Sequence, residues 1–216
     1  MGPALLHPGL ESSGNMDLPR RWAQENSARR LSKVPRTVTL MRIAHPDRSD
    51  STVIAMDAET LRSTLGLSSR ALGVNLDGFT HEEALAQPPG GGNCVNWIVG
   101  HIVAHRNHML HALGADPVWA PEIQARYDRG SEPVTGAEGA QTLDALRDAL
   151  DRSRERLLAA LEATTDAELA AVPEAASGSA TGPIGRRLAL LIAHEAYHAG
   201  QVSMLRRFSG RPGAIR

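Results

Sequence analysis

Cysteine is almost absent from this chain, which contains only Cys94 among 216 residues. A single cysteine cannot form an internal disulfide framework, and this usage is typical of a protein in a reducing compartment. We therefore expect a cytoplasmic protein whose one domain is large enough to bury a real core. Cys94 itself is expected to be a small apolar residue of that core.

Long apolar runs and a strong net charge are also absent. No apolar stretch approaches the roughly 20 residues that span a membrane, and the start, MGPALLHPGLESSG, lacks the charged and apolar regions of a signal peptide. The formal net charge is −1, so the bulk electrostatics favour neither nucleic acid nor an anionic membrane as a partner. The segment PPGGGN is a helix break and not a phosphate-binding loop.

Residues 1–55 differ from the remainder of the chain. They contain five prolines, scattered arginines and no sustained apolar period. The segment RRWAQENSARRL suits a short polar helix and TVTLMRI suits a strand, but neither has an apolar face large enough to offset its ordering entropy. We expect a poorly ordered N-terminal extension over residues 1–55. The alternative is that the assigned start lies too far upstream, since Met41 and Met56 could each begin the folded domain.

From residue 56 to residue 210 the pattern predicts an all-α domain, a four-helix bundle. Apolar residues recur at three- and four-residue steps, and no stretch alternates strictly enough to require a sheet. The connection over residues 114–138 is long, which suits a crossover between the second and third helices. The predicted helices span about 57–77, 94–113, 139–163 and 183–208.

Several residues are expected to mark the ends of these helices. Asn93 is the predicted N-cap of the second helix, and Pro183 suits the first turn of the fourth, which Gly210 ends. The segments THEEALAQP (80–88) and TDAELAAVP (165–173) both match the capping box, in which a threonine accepts an amide hydrogen bond and a glutamate reaches back. They indicate either two copies of one helical hairpin or two similar turns of independent origin.

Histidine is abundant, and six of the nine histidines fall on the second and fourth predicted helices. In the fourth, HEAYHAGQ places His194 and His198 one turn apart on the same face. Two imidazoles at this spacing can bind one ion at about 2.0–2.1 Å, whereas burying them without partners would be costly. The alternatives are a hydrogen-bonded pair in the core and a helix rotated so that both rings face water.

The letters HEAYH also match the His-Glu-x-x-His motif of zinc proteases. A protease of that type needs a third ligand further on and a sheet edge at its active site, and only 18 residues follow His198. The sequence therefore does not favour a zinc protease. Tyr197, Gln201 and Glu195 are candidates for orienting a metal ligand or a substrate. The alternative for each is an ordinary polar residue of the helix surface, which we favour for Glu195.

The second helix carries four histidines, His101, His105, His108 and His111. His105 lies nearest the centre of the apolar arc, so periodicity alone favours His105 as the inward-facing residue, and His111 is the most exposed. Gly100 costs a helix about 1 kcal/mol relative to alanine. A glycine at this position admits a close neighbour, either a helix backbone or a ligand.

Together, NWIVGHI in the second helix and HEAYHAGQVSMLRR in the fourth resemble motifs of the DinB/YfiT-like superfamily, which comprises metal-binding bacterial four-helix bundles. The resemblance covers residues 57–208. It implies a metal site with one histidine at the Gly-His position of the second helix and two on the fourth, which are His101, His194 and His198 here. His105 replaces His101 if the second helix is rotated by about a quarter turn.

Three neutral imidazoles with an open fourth position are typical of a catalytic metal site. Zinc or nickel suits these ligands, with manganese or iron as the alternative. The superfamily resemblance implies a metal-dependent enzyme of the thiol S-transferase type, which uses a low-molecular-weight thiol on a small electrophile in detoxification or stress response; metal-dependent hydrolysis is a variant. The alternatives are a non-catalytic metal- or ligand-binding stress protein and a dimerising interaction module. The resemblance is also compatible with a homodimer.

Overall fold

The structure, a computed structural model, describes residues 56–88, 90–173 and 182–215. The predicted N-terminal extension lies outside these ranges, as does the strand predicted within it. Every regular element of the described residues is a helix, so the predicted all-α class is confirmed. The helices are α1 (Ala58–Leu76), α2 (His81–Leu85), α3 (Val95–Ala112), α4 (Pro121–Ala125), α5 (Leu143–Ala163), α6 (Asp166–Ala170) and α7 (Ile184–Phe208).

The four long helices α1, α3, α5 and α7 correspond to the four predicted ones, with two differences at their starts. The N-cap of α3 is Cys94 and not Asn93, because Cys94 is fully buried and its Sγ donates to the Val134 carbonyl at 3.3 Å. Tertiary packing therefore fixes this helix start, and Cys94 is a core residue as expected. The start of α5 is later than predicted, because Thr142 accepts a hydrogen bond from the Ala145 amide and acts as its N-cap.

Both predicted capping boxes are present, at the single-turn helices α2 and α6. Thr80 and Thr165 each accept a hydrogen bond from the amide of the glutamate three residues on, Glu83 or Glu168. Each glutamate in turn accepts from the backbone amide of its threonine, at 2.8 and 2.7 Å. The two turns therefore satisfy their first backbone donors in the same way.

Contacts at the helix ends define the directions of the long helices. Near its start, α3 contacts the residue before α5, since the Asn96 side chain donates to the Gln141 carbonyl at 2.8 Å. Near its end, Arg106 contacts Ser153 within α5 at 3.3 Å. The helices α3 and α5 therefore run in the same direction, and the segment between them returns along the bundle. Helix α7 runs opposite to α3, because His101 lies beside His198 whereas Arg106 lies beside Glu195.

A buried ion pair occupies the middle of the bundle. The Arg106 guanidinium donates two hydrogen bonds to the Glu195 carboxylate, both at 2.8 Å, and the two side chains are 2% and 3% exposed. Its remaining donors reach the Leu150 carbonyl and Ser153 on α5 and Ser69 on α1. All five guanidinium donors are therefore satisfied, and one side chain of α3 contacts each of the other three long helices.

Apolar side chains pack above and below this polar layer. One cluster surrounds the first half of α3 and includes Leu72, Ile98 and Leu146. The other surrounds the end of α3 and includes Leu65, Leu110 and Leu157. The ion pair therefore interrupts the core between its two apolar halves, where an unpaired charge would be costly.

Replacing Glu195 by alanine should destabilise the fold strongly. The change leaves the Arg106 guanidinium buried without its counter-ion, which lowers the free energy of unfolding by about 3–5 kcal/mol. Urea unfolding of the metal-free protein measures the loss, and Glu155→Ala on the exposed face of α5 is the matched control. Equal unfolding midpoints for the two variants would contradict the central role of the ion pair.

Candidate metal centre

Four histidines converge between α3 and α7. His101 and His198 are 3% and 6% exposed, and His105 and His194 are half-buried. The structure therefore brings together the three ligands that the superfamily resemblance implied and also His105, the residue that periodicity favoured. The other histidines of α3, His108 and His111, are exposed.

The Nε2 atom of His194 lies at the centre of the cluster. It is 3.3 Å from Nε2 of His101 and 3.0 Å from Nε2 of His198. Nitrogens bound at about 2.0–2.1 Å around a tetrahedral ion are about 3.3–3.4 Å apart, so each of these two separations is compatible with a pair of ligands on one ion.

A second triad overlaps the first. One ring nitrogen from each of His101, His105 and His194 lies within 4.8 Å of the other two. The His105 ring stacks on the His194 ring with 4.5 Å between centroids, and its centroid is 4.2 Å from that of His101. These three histidines could hold a metal ion, but the shortest nitrogen separations join His194 to His101 and His198. The mutually close group is therefore His101, His105 and His194, and His198 adjoins it through its short contact with His194.

Hydrogen bonds on the far side of two rings orient them toward the centre. Nδ1 of His101 donates to the Tyr127 carbonyl at 2.7 Å, and Nδ1 of His198 donates to Oε1 of Gln201 at the same distance. Both partners only accept, so each Nδ1 carries the proton and each Nε2 presents a lone pair. His194 Nε2 can donate to only one of these two lone pairs, which leaves a repulsive contact that a cation would remove.

Burial keeps these imidazoles neutral. Loss of solvation lowers the pKa of His198 to about 4 and that of His105 to about 3, the latter with a further contribution from the neighbouring histidines. Burial also lowers the pKa of His101, against the opposing effect of the Tyr127 carbonyl. For His194, burial and the charge of Arg129 lower the pKa. Neutral rings are the form that binds metal ions.

The connection between α3 and α5 supports His101 through Tyr127. This side chain is fully buried, and its hydroxyl donates to Asn96 and accepts from the Gln141 amide. A Cβ atom at position 100 would clash with the Tyr127 ring. The close neighbour expected at Gly100 is therefore an aromatic ring, neither a helix backbone nor a ligand. The Trp97 ring stacks on the His101 ring with 4.5 Å between centroids.

Comparison with protein families gives the same assignment as the motifs. A profile of the DinB superfamily matches residues 68–202, more than half of the chain. The chain belongs to the DinB superfamily. A search of curated proteins finds no match.

Solved structures share the DinB fold of this chain at low sequence identity. A conserved protein from Enterococcus faecalis is 20% identical, with a TM-score of 0.55 over 69% of this chain and 95% of its own. A DinB-like protein from Bacillus cereus is 19% identical, with a TM-score of 0.55 over 74% of this chain and 97% of its own. At this identity the likeness extends to the fold alone. Within the described residues, no helix of this DinB protein is long and apolar enough to cross a membrane.

Among the residues around the histidine cluster, the prediction for Glu195 was wrong. Glu195 is buried because it pairs with Arg106, whose importance the sequence reasoning missed. The signal available was the position of Arg106, four residues after Ile102 and three before Met109, which places a charge on the apolar arc of α3. Gln201 orients His198, as expected of a supporting residue, whereas Tyr197 is 62% exposed and accepts a hydrogen bond from Gln201.

A groove of about 650 Å³ lies elsewhere on the bundle, between α1 and α5. Its lining includes Arg70, Arg147 and Arg154 but none of the four clustered histidines. Arg106 of the buried ion pair also contributes to its lining. The chemistry suggested by the histidines therefore belongs to the α3–α7 side and not to this groove.

Replacing Gly100 by alanine should disturb the His101 environment. The added Cβ displaces the Tyr127 ring, an overpacking that costs about 1–3 kcal/mol of unfolding free energy and outweighs the gain of about 1 kcal/mol in helix propensity. Gly73→Ala on α1, where a Cβ meets nothing within 4 Å, is the control and should not destabilise the protein. Thermal or urea unfolding measures the stability of both variants. Equal stability of the two would contradict the close approach of the Tyr127 ring to Gly100.

The metal-free protein should become more stable as pH rises from about 4 to 6.5. In the unfolded chain the histidines bind protons below pH 6.5. In the fold the pKa of His105 is lowered to about 3 and that of His198 to about 4. The unfolded state therefore binds more protons in this window, so stability is lost on acidification. Urea unfolding at a series of pH values measures the slope. The slope of the unfolding free energy against pH should decrease in His105→Asn and not in His111→Asn. An unchanged slope in His105→Asn would refute the role of this buried imidazole in the pH dependence.

Proposed function

We propose that this protein binds one divalent cation through His101, His194 and His198. The observation that supports this most strongly is the pair of Nε2 lone pairs, on His101 and His198, that both point at Nε2 of His194 within 3.3 Å. In the absence of a cation, one of these contacts has no shared proton. Zinc or nickel fits a set of neutral imidazoles, with manganese or iron as the alternative.

We further propose that the site catalyses a reaction of the thiol S-transferase or hydrolase type on a small electrophile. A divalent cation held by neutral ligands keeps its full charge and lowers the pKa of a thiol or water beside it. His194 is the more accessible of the three ligands, and Arg129 adds positive charge near it. This side therefore favours the approach of a small thiol as its anion, with Tyr197 and Gln201 at the edge of the site.

The second candidate is a stress protein that binds a metal or ligand without turnover. The observation that favours it is the burial of His101 and His198, together with the position of the 650 Å³ groove away from the histidines. A binding protein tolerates a closed site, whereas an enzyme must admit its substrate. Under either function, a homodimer remains a prediction, and the exposed side chains of Leu190, Met204 and Phe208 on α7 are available for it.

Elemental analysis of purified protein tests the metal site. The wild-type chain and the control variant His111→Ala should carry a stoichiometric metal, and His101→Ala should carry little, since it removes a ligand without touching the exposed end of α3. Circular dichroism of each variant verifies that the fold is retained. Equal metal content in the wild type and His101→Ala would eliminate the site.

A thiol-consumption screen then separates the two candidate functions. Metal-loaded protein is incubated with small thiols and electrophiles, and free thiol is followed over time. Consumption that stops when the metal is removed supports the transferase. Release of acid without consumption of thiol supports the hydrolase, and stoichiometric metal without either reaction supports the binding protein.

A further inference from the structure

We propose that His105 is a fourth ligand of the same cation and that it occupies the coordination position that a catalytic site leaves open. The inference deepens the proposed function and depends on it. Its first basis is position: a ring nitrogen of His105 lies within 4.8 Å of ligand nitrogens of both His101 and His194. The ring also contacts both neighbours, at 4.2 and 4.5 Å between centroids.

The second basis is a buried nitrogen that has no partner. Nδ1 of His105 is inaccessible to solvent and forms no hydrogen bond within the described residues. The corresponding atoms of His101 and His198 both donate hydrogen bonds. A buried ring nitrogen without a partner is unfavourable. A cation bound at this nitrogen would supply the missing partner. Within the described residues, His105 is therefore the one ring of the cluster that no hydrogen bond holds in position.

The neighbouring histidine of α3 does not have these properties. Nε2 of His108 is 2.9 Å from Oδ1 of Asp128, and the side chain is 49% exposed. Its ring centroid is 6.1 Å from that of His105, farther than the centroids of His101 and His194 are. The cluster on α3 is therefore limited to His101 and His105, one turn apart, opposite His194 and His198 on α7.

Two overlapping triads are then possible. His101, His105 and His194 form the mutually close one, and the proposed triad shares His101 and His194 with it and is completed by His198. The rings of His101 and His198 are held by their Nδ1 hydrogen bonds, but the His105 ring has no such restraint. His105 is therefore the ligand that a thiolate or another small anion displaces, unless coordination expands to five.

Metal affinity in a set of variants tests the inference. The variants are His105→Ala, His198→Ala, the double variant and the control His111→Ala, and the dissociation constant of zinc is measured by competition with a chromophoric chelator. Loss of one ligand should weaken zinc binding at least as much as loss of an outer partner does, about 10- to 100-fold. Each single variant keeps one triad and stoichiometric zinc, whereas the double variant loses it.

Failure of this inference is distinguishable from failure of the proposed site. If His105→Ala binds zinc as tightly as His111→Ala, and His198→Ala binds as weakly as the double variant, His105 is not a ligand although the site stands. If the wild-type chain binds no zinc, the site itself is wrong. Circular dichroism of the metal-free variants controls for folding.

Cobalt-loaded protein tests whether a thiol displaces His105. A small thiol should change the visible spectrum at lower concentration for His105→Ala than for wild type. A change at the same concentration in both would contradict the displacement of His105.

Discussion

The buried guanidinium of Arg106 is the constraint on which the arrangement of the bundle depends. Its five hydrogen bonds are directional and reach α1, α5 and α7, so they restrict how far each helix can slide or rotate. Apolar packing alone tolerates such movements more easily. Arg106 directly follows His105, and Glu195 directly follows His194. The pairing therefore also brings the histidine-bearing faces of α3 and α7 into register.

This polar layer is better understood as a source of specificity than of stability. A buried ion pair gains little over apolar residues of the same size, because desolvation offsets the attraction between the charges. The histidine cluster has the same character, since neutral rings with converging lone pairs pack no better than leucines would. Both features interrupt the core at the same level, and both are explained by a requirement to orient particular atoms.

The elements that could be predicted from the sequence are those with local causes. Helix positions follow from apolar spacing, and both capping boxes follow from threonine and glutamate three residues apart. The pairing of Arg106 with Glu195 joins residues 89 positions apart, and no local pattern indicates it. The same applies to Tyr127, which belongs to a connection without apolar periodicity. Periodicity indicated His105 and the superfamily resemblance indicated His101; both lie in the cluster, because they are one turn apart on one helix.

The two sides of the histidine cluster differ in rigidity, and this difference bears on what the site can do. On the buried side, His101 and His198 are oriented by the Tyr127 carbonyl and by Gln201. On the half-buried side, neither His105 nor His194 has an Nδ1 hydrogen bond within the part of the chain that the structure describes. Four equally restrained rings would make a closed, structural type of site. Firm orientation on one side and freedom on the other suits a site that retains an ion while a ligand exchanges at the accessible edge.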